Sequence, residues 1–268
     1  MGKQTKNAPA LHVQDTSVAF GDFIALHNAD LVLEMGEMVA LIGASGSGKS
    51  TLLRTIDGLQ VASPGSGRIE VFGRKVQRDG RLAKGLHYRR RDIGMIFQSF
   101  NLVGRLSLFA NVLIGALGRI PAWRGALGLY PAEDRKMAMD ALERVGVAEF
   151  AGRRASKLSG GQKQRGAIAR ALVQGAQMIL ADEPIASLDP VSARKVMEQL
   201  QELNERDGIT ILVSLHQVDF AIRYCKRVVA LKAGRIIYDG PADKMTKKDM
   251  IAVYGDEYED AFWSAEAA

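Results

Sequence analysis

Gly43-Ala44-Ser45-Gly46-Ser47-Gly48-Lys49-Ser50 sets three glycines, a lysine and a hydroxyl in eight residues, directly after the apolar run Met38 to Ile42. This fits the G-x-x-x-x-G-K-[ST] pattern in the strand-to-helix context that the pattern requires. Glycines let the chain bend until successive N–H groups point into one concavity, and the positive end of the following helix adds attraction for phosphate. Lys49 is placed to reach the β- and γ-phosphates of a nucleoside triphosphate, Ser50 to ligate Mg²⁺, and Thr51 follows in the same turn.

A second cluster lies far along the chain. Met178-Ile179-Leu180-Ala181-Asp182-Glu183 is an apolar strand that delivers two adjacent carboxylates at its C-terminal end, where open α/β sheets bind ligands. Asp182 is the candidate Mg²⁺ partner through water, and Glu183 the candidate base or water-orienting group for attack on a γ-phosphate. Ahead of it, Leu158-Ser159-Gly160-Gly161-Gln162 opens a helix with a capping hydroxyl and free N–H groups, a second anion-binding element on one chain. Each element also has a plainer reading: a glycine turn with a surface lysine, a solvated Asp-Glu pair before Pro184, an ordinary Ser-Gly-Gly cap. Their order, with the glycine loop first and the carboxylate strand last, favours the chemical one.

The elements that must position these groups follow from periodicity. Strands are expected over Val13 to Phe20, Ile24 to Leu33 and Met38 to Ile42, a helix from about Lys49 to Ile56, and strands at Arg68 to Phe72 and Ile93 to Phe97. Helical periodicity then holds over Leu108 to Leu117 and Glu133 to Val145. Alternation resumes with helix Gln162 to Val173, strand Met178 to Asp182, helix Val191 to Arg206, strand Ile209 to Ser214, and strands Val228 to Leu231 and Arg235 to Tyr238. Strands separated by helices imply an α/β fold with a mainly parallel core sheet, preceded by an antiparallel β part. The expected organisation is one domain over residues 11–255, with a helical lobe over roughly 99–160 inserted in the core, and tails at 1–10 and 256–268.

Composition narrows the setting. At 268 residues with 47% hydrophobic and 25% charged side chains, the chain can bury a sizeable core and is not of the disordered class. One cysteine, Cys225, excludes an internal disulfide, and the start MGKQTKNAPALHVQD lacks a secretory apolar segment, so a cytoplasmic setting is expected. The most apolar stretch, Leu106 to Gly118, is too short to span a bilayer and contains Asn111. Formal charge is +6, with a basic run Arg81, Lys84, Arg89, Arg90 and Arg91 that reads first as a solvated face. Only Tyr88 interleaves as an aromatic, which disfavours a nucleic-acid surface.

With a glycine loop, a Leu-Ser-Gly-Gly-Gln element and a carboxylate strand in order, the sequence resembles the ABC ATPase family over about Val13 to Gly255. The resemblance implies ATP and Mg²⁺ as cofactors and roles for further residues. Phe20 matches the aromatic that stacks on adenine, although tyrosine is usual there. Gln98 matches a glutamine that serves the metal and the catalytic site, and His216 the histidine that contacts the γ-phosphate. Asp189 in Ser187-Leu188-Asp189 matches a loop that crosses a dimer interface. Ser159, Gly160, Gly161 and Gln162 of one copy would close over the γ-phosphate held by Gly43 to Thr51 of another, which implies a head-to-tail dimer with two shared sites.

Only about a hundred residues separate the two glycine elements, there is one cassette, and no membrane helix is fused to it. These features resemble the separate ATPase subunit of an importer, whose helical lobe docks on transmembrane permease subunits at the cytoplasmic face of the membrane. Phe97-Gln98-Ser99-Phe100-Asn101-Leu102-Val103, Asp182-Glu183-Pro184-Ile185-Ala186-Ser187-Leu188-Asp189-Pro190 and Val213-Ser214-Leu215-His216-Gln217-Val218-Asp219 are similar to the phosphonate-importer ATPases. That implies cargo of phosphonate or a related phosphorus oxyanion, delivered by a periplasmic or extracellular phosphonate-binding protein, and no nucleic-acid partner. The alternatives are a non-transporting ABC ATPase associated with the carbon–phosphorus lyase complex, and a nucleic-acid-stimulated ATPase that uses the basic run.

Overall fold

The computed structural model describes residues 8–255. Two sheets carry the fold. The first has the order β2-β1-β4-β5-β6, from β1 (Leu11–Phe20), β2 (Phe23–Leu33), β4 (Arg68–Val71), β5 (Arg74–Arg78) and β6 (Arg81–Leu82), all paired antiparallel. The second has the order β11-β10-β3-β9-β8-β7, from β3 (Met38–Ile42), β7 (Ile93–Ile96), β8 (Met178–Asp182), β9 (Thr210–Leu215), β10 (Arg227–Lys232) and β11 (Arg235–Pro241). Its strands run parallel except for β11, which pairs antiparallel with β10. The α/β class and the mainly parallel core sheet expected from the alternation are present.

Burial explains why the strands divide this way. β3, β8 and β9 are buried at every position, because helices or the other sheet cover both of their faces. β1 instead alternates buried and exposed residues, as a sheet wet on one face must. α1 (Lys49–Ile56) lies between the two sheets, with Leu52, Leu53 and Ile56 fully buried in one core alongside Leu41, Leu180 and Leu212.

The second core lies on the opposite face of the parallel sheet. It joins α5 (Ala132–Arg144), α6 (Gly160–Gln174), α7 (Pro190–Asp207) and α8 (Val218–Tyr224) to Ile179, Ile211 and Val213. Before α5 come the short helices α2 (Leu86–Arg89), α3 (Leu108–Leu113) and α4 (Ala122–Ala126), and α9 (Lys247–Tyr254) closes the described chain. The helix expected over Leu108 to Leu117 stops at Leu113 and tightens into a 3₁₀ turn over Ile114–Gly118. Its cause is close packing: a Cβ on Gly115 would lie 2.4 Å from the Arg170 carbonyl oxygen of α6.

β5, β6, α2 and α4 escape the periodicity reading because they span few residues with little apolar pattern. Of the two expected tails, residues 1–7 and 256–268 lie outside the described residues; Ala10 is fully buried, and its carbonyl accepts the Phe72 N–H.

The basic run is more than a solvated face. Arg81 and Lys84 are exposed, whereas Arg90 donates from Nε to the Asp57 carbonyl at 3.0 Å and from Nη2 to the Gly58 carbonyl at 2.8 Å. It thereby satisfies carbonyls left open at the C-terminus of α1. Arg91 lies 5.0 Å from the centroid of the Tyr88 ring.

Candidate active site

β3 ends at Ile42, and the loop that follows needs glycine. Gly43, Gly46 and Gly48 have φ of 148°, 75° and 106°. A Cβ on Gly43 would sit 2.2 Å from the Leu231 carbonyl oxygen, and one on Gly48 would sit 2.7 Å from that of Ala25. No side chain fits at either place, so the tight turn and the close backbone approach both require glycine.

Lys49 opens α1 and is buried. Its Nζ donates to the carbonyls of Gly43 at 2.7 Å and Ala44 at 3.0 Å. Burial pulls the ammonium below its ordinary pKa, while Glu183 and Asp182 oppose that pull. At the next residue, Ser50 Oγ donates to Asp182 Oδ1 at 2.7 Å, which connects the loop to the end of β8. Arg54, also on α1, lies 3.7 Å from Asp182 Oδ2.

The carboxylate pair divides as the strand ends. Asp182 is buried, and Ser214 Oγ also donates to its Oδ1 at 3.2 Å. Glu183 has left the strand with φ at 48°, a left-handed conformation that costs about 1–3 kcal/mol in a non-glycine residue. Two contacts hold it there: its N–H donates to Ser214 Oγ at 2.9 Å, and its Oε1 lies 2.6 Å from His216 Nε2. The His216 hydrogen bond holds the Glu183 carboxyl below the usual carboxylate range against the opposing effect of burial, with the charges of His216 and Lys49 acting the same way. Glu183 is thus ionised at neutral pH and can orient a water or accept a hydrogen bond from one.

An open cleft of about 570 Å³ gathers these groups. Ser45 to Thr51, Gln98, Glu183, His216 and Phe20 all line it. Phe23 lines it too and pairs with Phe20 across the Gly21-Asp22 turn; both rings are exposed. Gly43 and Ala44 stand behind the wall as partners of Lys49, and Asp182 behind Ser50.

Ser159 to Gln162 and Asp189 are not among the lining residues. Ser159 is the N-cap of α6, in a reciprocal box with Gln162: Ser159 Oγ accepts the Gln162 N–H at 3.3 Å, and Gln162 Oε1 accepts the Ser159 N–H at 2.9 Å. Asp189 caps α7 by accepting the Ser192 N–H at 3.0 Å, and its bonds with Ser192 hold its carboxyl below the ordinary value. The two caps adjoin: a Cβ on Gly161 would meet Ser192 Oγ at 2.7 Å, and one on Gly160 would meet Leu188 Cδ2 at 2.9 Å. They form a separate edge of the same molecule.

Two residues had weak sequence signals. Ser214 ties Asp182 to the Glu183 backbone, and its only mark is a hydroxyl that interrupts the apolar run Ile211 to Leu215. Phe23 is an exposed aromatic just past the turn that carries Phe20.

A glycine loop between strand and helix, a buried lysine and a paired carboxylate at the end of β8 in the same parallel sheet define a P-loop nucleoside triphosphatase. The ABC transporter family model matches residues 26–186, and the chain belongs to that family as an ATP-binding subunit. It is 59% identical over 263 residues to a phosphonates import ATP-binding protein, PhnC, of Maricaulis maris, covering 98% of this chain and 100% of that one. It is likewise 59% identical to the Caulobacter vibrioides protein of the same name, over 95% and 97% of the two chains. Among solved structures, the ATP-binding cassette MJ0796 in its dimeric post-hydrolysis state, bound to ADP and Pi, superposes with a TM-score of 0.75 at 34% identity, covering 87% of this chain and 98% of that one. CbiO1 of Clostridium perfringens, part of the ABC transporter complex cbiONQ, gives 0.76 at 30% identity over 92% and 94%.

Proposed function

We propose that this chain binds and hydrolyses ATP to power a membrane importer of phosphonate or a related phosphorus oxyanion. The observation that carries the reading is the cleft that gathers Lys49, Ser50, Gln98, Glu183 and His216 around one glycine loop. The identity of 59% to phosphonates import ATP-binding proteins supports the cargo class.

The residues present suit ATP with Mg²⁺. Phe20 and Phe23 offer ring faces for a base at one end of the cleft, and the N–H groups of residues 45–50 face the triphosphate. Ser50, Asp182 and Gln98 supply the hard oxygen donors that Mg²⁺ takes alongside phosphate oxygens. When bound, the ion neutralises charge that develops on the phosphates. Lys49 leaves the Gly43 and Ala44 carbonyls to bind the β- and γ-phosphates, Glu183 orients the attacking water, and His216 holds Glu183 and contacts the γ-phosphate.

The separate edge formed by Ser159 to Gln162 and Asp189 finds its use in a second copy. Packed head to tail, that edge of one copy covers the open cleft of the other, as the dimeric state of MJ0796 favours. Closure on ATP and opening after hydrolysis would then move permease subunits docked on the segment from Gln98 to about Tyr130 at the cytoplasmic face of the membrane. Among the described residues no helix is long and apolar enough to cross a membrane. A phosphonate-binding protein on the far side completes the system.

The test is reconstitution of the chain with its permease and binding protein in vesicles. A phosphonate should stimulate ATP turnover and enter the vesicles, and Glu183→Gln should still bind ATP but lose about 99% of turnover, the hundredfold that a positioned base supplies, and accumulate closed dimers. Wild-type turnover in that variant removes Glu183 from its role, and stimulation by an unrelated solute alone overturns the cargo.

A further inference from the structure

β9 carries a hydroxyl among its last residues, at a place where apolar side chains surround it. Val213 and Leu215 pack in the core on one face of the parallel sheet and Leu212 in the core on the other, so alternation turns Ser214 toward α1 with Leu212. β8 follows the same rule: Ile179 and Ala181 face the first core, and Leu180 the second, so Asp182 emerges on the side of α1. The ladder pairs Asp182 with Ser214, and two buried polar side chains therefore meet on one face.

A buried serine must place both its proton and its lone pairs. Ser214 Oγ donates to Asp182 Oδ1 at 3.2 Å and accepts the Glu183 N–H, the first beyond β8, at 2.9 Å. Asp182 is itself braced, with a second hydroxyl from Ser50 on Oδ1 at 2.7 Å and Arg54 at 3.7 Å from Oδ2. Ser214 carries that fixity to the next residue, where it is needed. Glu183 turns out of the strand with φ at 48°, a left-handed conformation that a non-glycine residue keeps only when its surroundings hold it, and that turn sets the direction of its side chain. His216, two residues beyond Ser214, meets the far end of the same side chain at Oε1. The end of one strand therefore grips Glu183 at its root and at its tip.

We infer that Ser214 is a positioning residue for hydrolysis, whose hydroxyl, braced on Asp182, fixes the left-handed turn at Glu183 so that the carboxylate keeps one direction when it exchanges His216 for a water. This rests on the role proposed above for Glu183. The Ser214 contact is to the backbone, so it persists through that exchange. Ser214 is absent from the lining of the cleft, so its loss leaves the nucleotide contacts in place and loosens only the aim of Glu183, which acts in the transition state more than in the ground state.

The test compares the full-length wild type with Ser214→Ala, Ser214→Thr, Ser214→Val and Glu183→Gln by ATP turnover and thermal melting. Ser214→Ala should lower kcat about tenfold, or about 1.4 kcal/mol, with the KM for ATP within about twofold of wild type. Threonine and valine share a shape and differ in the hydroxyl, so the added methyl shifts Tm alike in both. Ser214→Thr should stay within about threefold of the wild-type kcat, while Ser214→Val falls as far as Ser214→Ala. A Ser214→Ala kcat within about twofold of wild type, a change in KM alone, or equal losses in Ser214→Thr and Ser214→Val overturns the inference. If Glu183→Gln is inactive in the experiment that overturns it, the catalytic reading stands without Ser214; an active Glu183→Gln sinks the reading and the inference with it.

Discussion

Asp57 ends α1 with a carboxyl in an unfavourable place. It is the C-cap of α1, where the helix dipole is negative, and it is only 5% exposed. Burial pushes its pKa up to about 7, even though the Arg90 guanidinium, 3.9 Å away, pulls it down. In the unfolded chain the same group ionises near 3.9. Between about pH 4 and 7 the folded state therefore holds a proton that the unfolded state has released, and stability falls as pH rises by about 1.4 kcal/mol per unit. Above pH 7 both states are ionised and the loss is complete.

Asp57→Asn removes the titration and keeps the shape. Arg90 bonds the main-chain carbonyls of Asp57 and Gly58, and those contacts survive the change. The stability of the variant relative to wild type should thus rise by about 3 kcal/mol between pH 5 and pH 8, from the roughly two units of pH over which only the unfolded chain is ionised. Urea unfolding of both proteins without nucleotide, at pH 5, 6, 7 and 8, measures this. Steric effects of the substitution and titrations elsewhere cancel in the pH dependence of the difference. A difference that stays constant across that range refutes the argument.

Lys49→Ala should weaken ATP binding about tenfold to a hundredfold, the value of a hydrogen bond to a charged group at about 1.5–3 kcal/mol. Calorimetric titration with ATP·Mg²⁺ reads it, and an unchanged Kd contradicts the role of the loop. Ser159→Arg should leave ATP binding by the single chain intact, since Ser159 does not line the cleft, and lower stability by about 1 kcal/mol through the lost cap. In a Glu183→Gln background, size-exclusion chromatography with ATP should then show monomer where Glu183→Gln alone shows dimer; dimers in both count against the shared site.

The parts of the site that were legible in the sequence are those whose chemistry demands fixed neighbours in the chain. A glycine loop must be contiguous because its own N–H groups form the cradle, so Gly43 to Ser50 announces itself. Asp182 and Glu183 are legible because the strand that presents them is an unbroken apolar run. The contacts that arm the site are of another kind. Ser214 reaches Asp182 only because β8 and β9 pair with Asp182 opposite Ser214, and no local pattern encodes that register. Arg90 reads as one more charge in a basic run, and its turn inward depends on where α1 ends. α3 is legible at its start, where Ser107 caps it by accepting the Ala110 N–H at 3.1 Å, but its early end depends on the approach of α6 to Gly115.

Within the cleft the charged and polar groups are paired by the chain itself. Lys49 rests on two carbonyls, Ser50 on Asp182, and Glu183 on His216. Each group thus has a resting partner, and the desolvation cost of an unpaired buried charge is avoided. On the proposed function each of these bonds is one that a nucleotide would replace: phosphate for the carbonyls at Lys49, metal for the hydroxyl proton at Ser50, water for the imidazole at Glu183. On the proposed reading the exchange at Lys49 favours the nucleotide, because a phosphate oxygen carries the charge that a carbonyl lacks, and further affinity comes from the loop N–H groups, the aromatic faces of Phe20 and Phe23, and the facing edge of a second copy. On the proposed head-to-tail packing only a second copy supplies the third of these, so that reading assigns the step from holding ATP to hydrolysing it to the dimer interface.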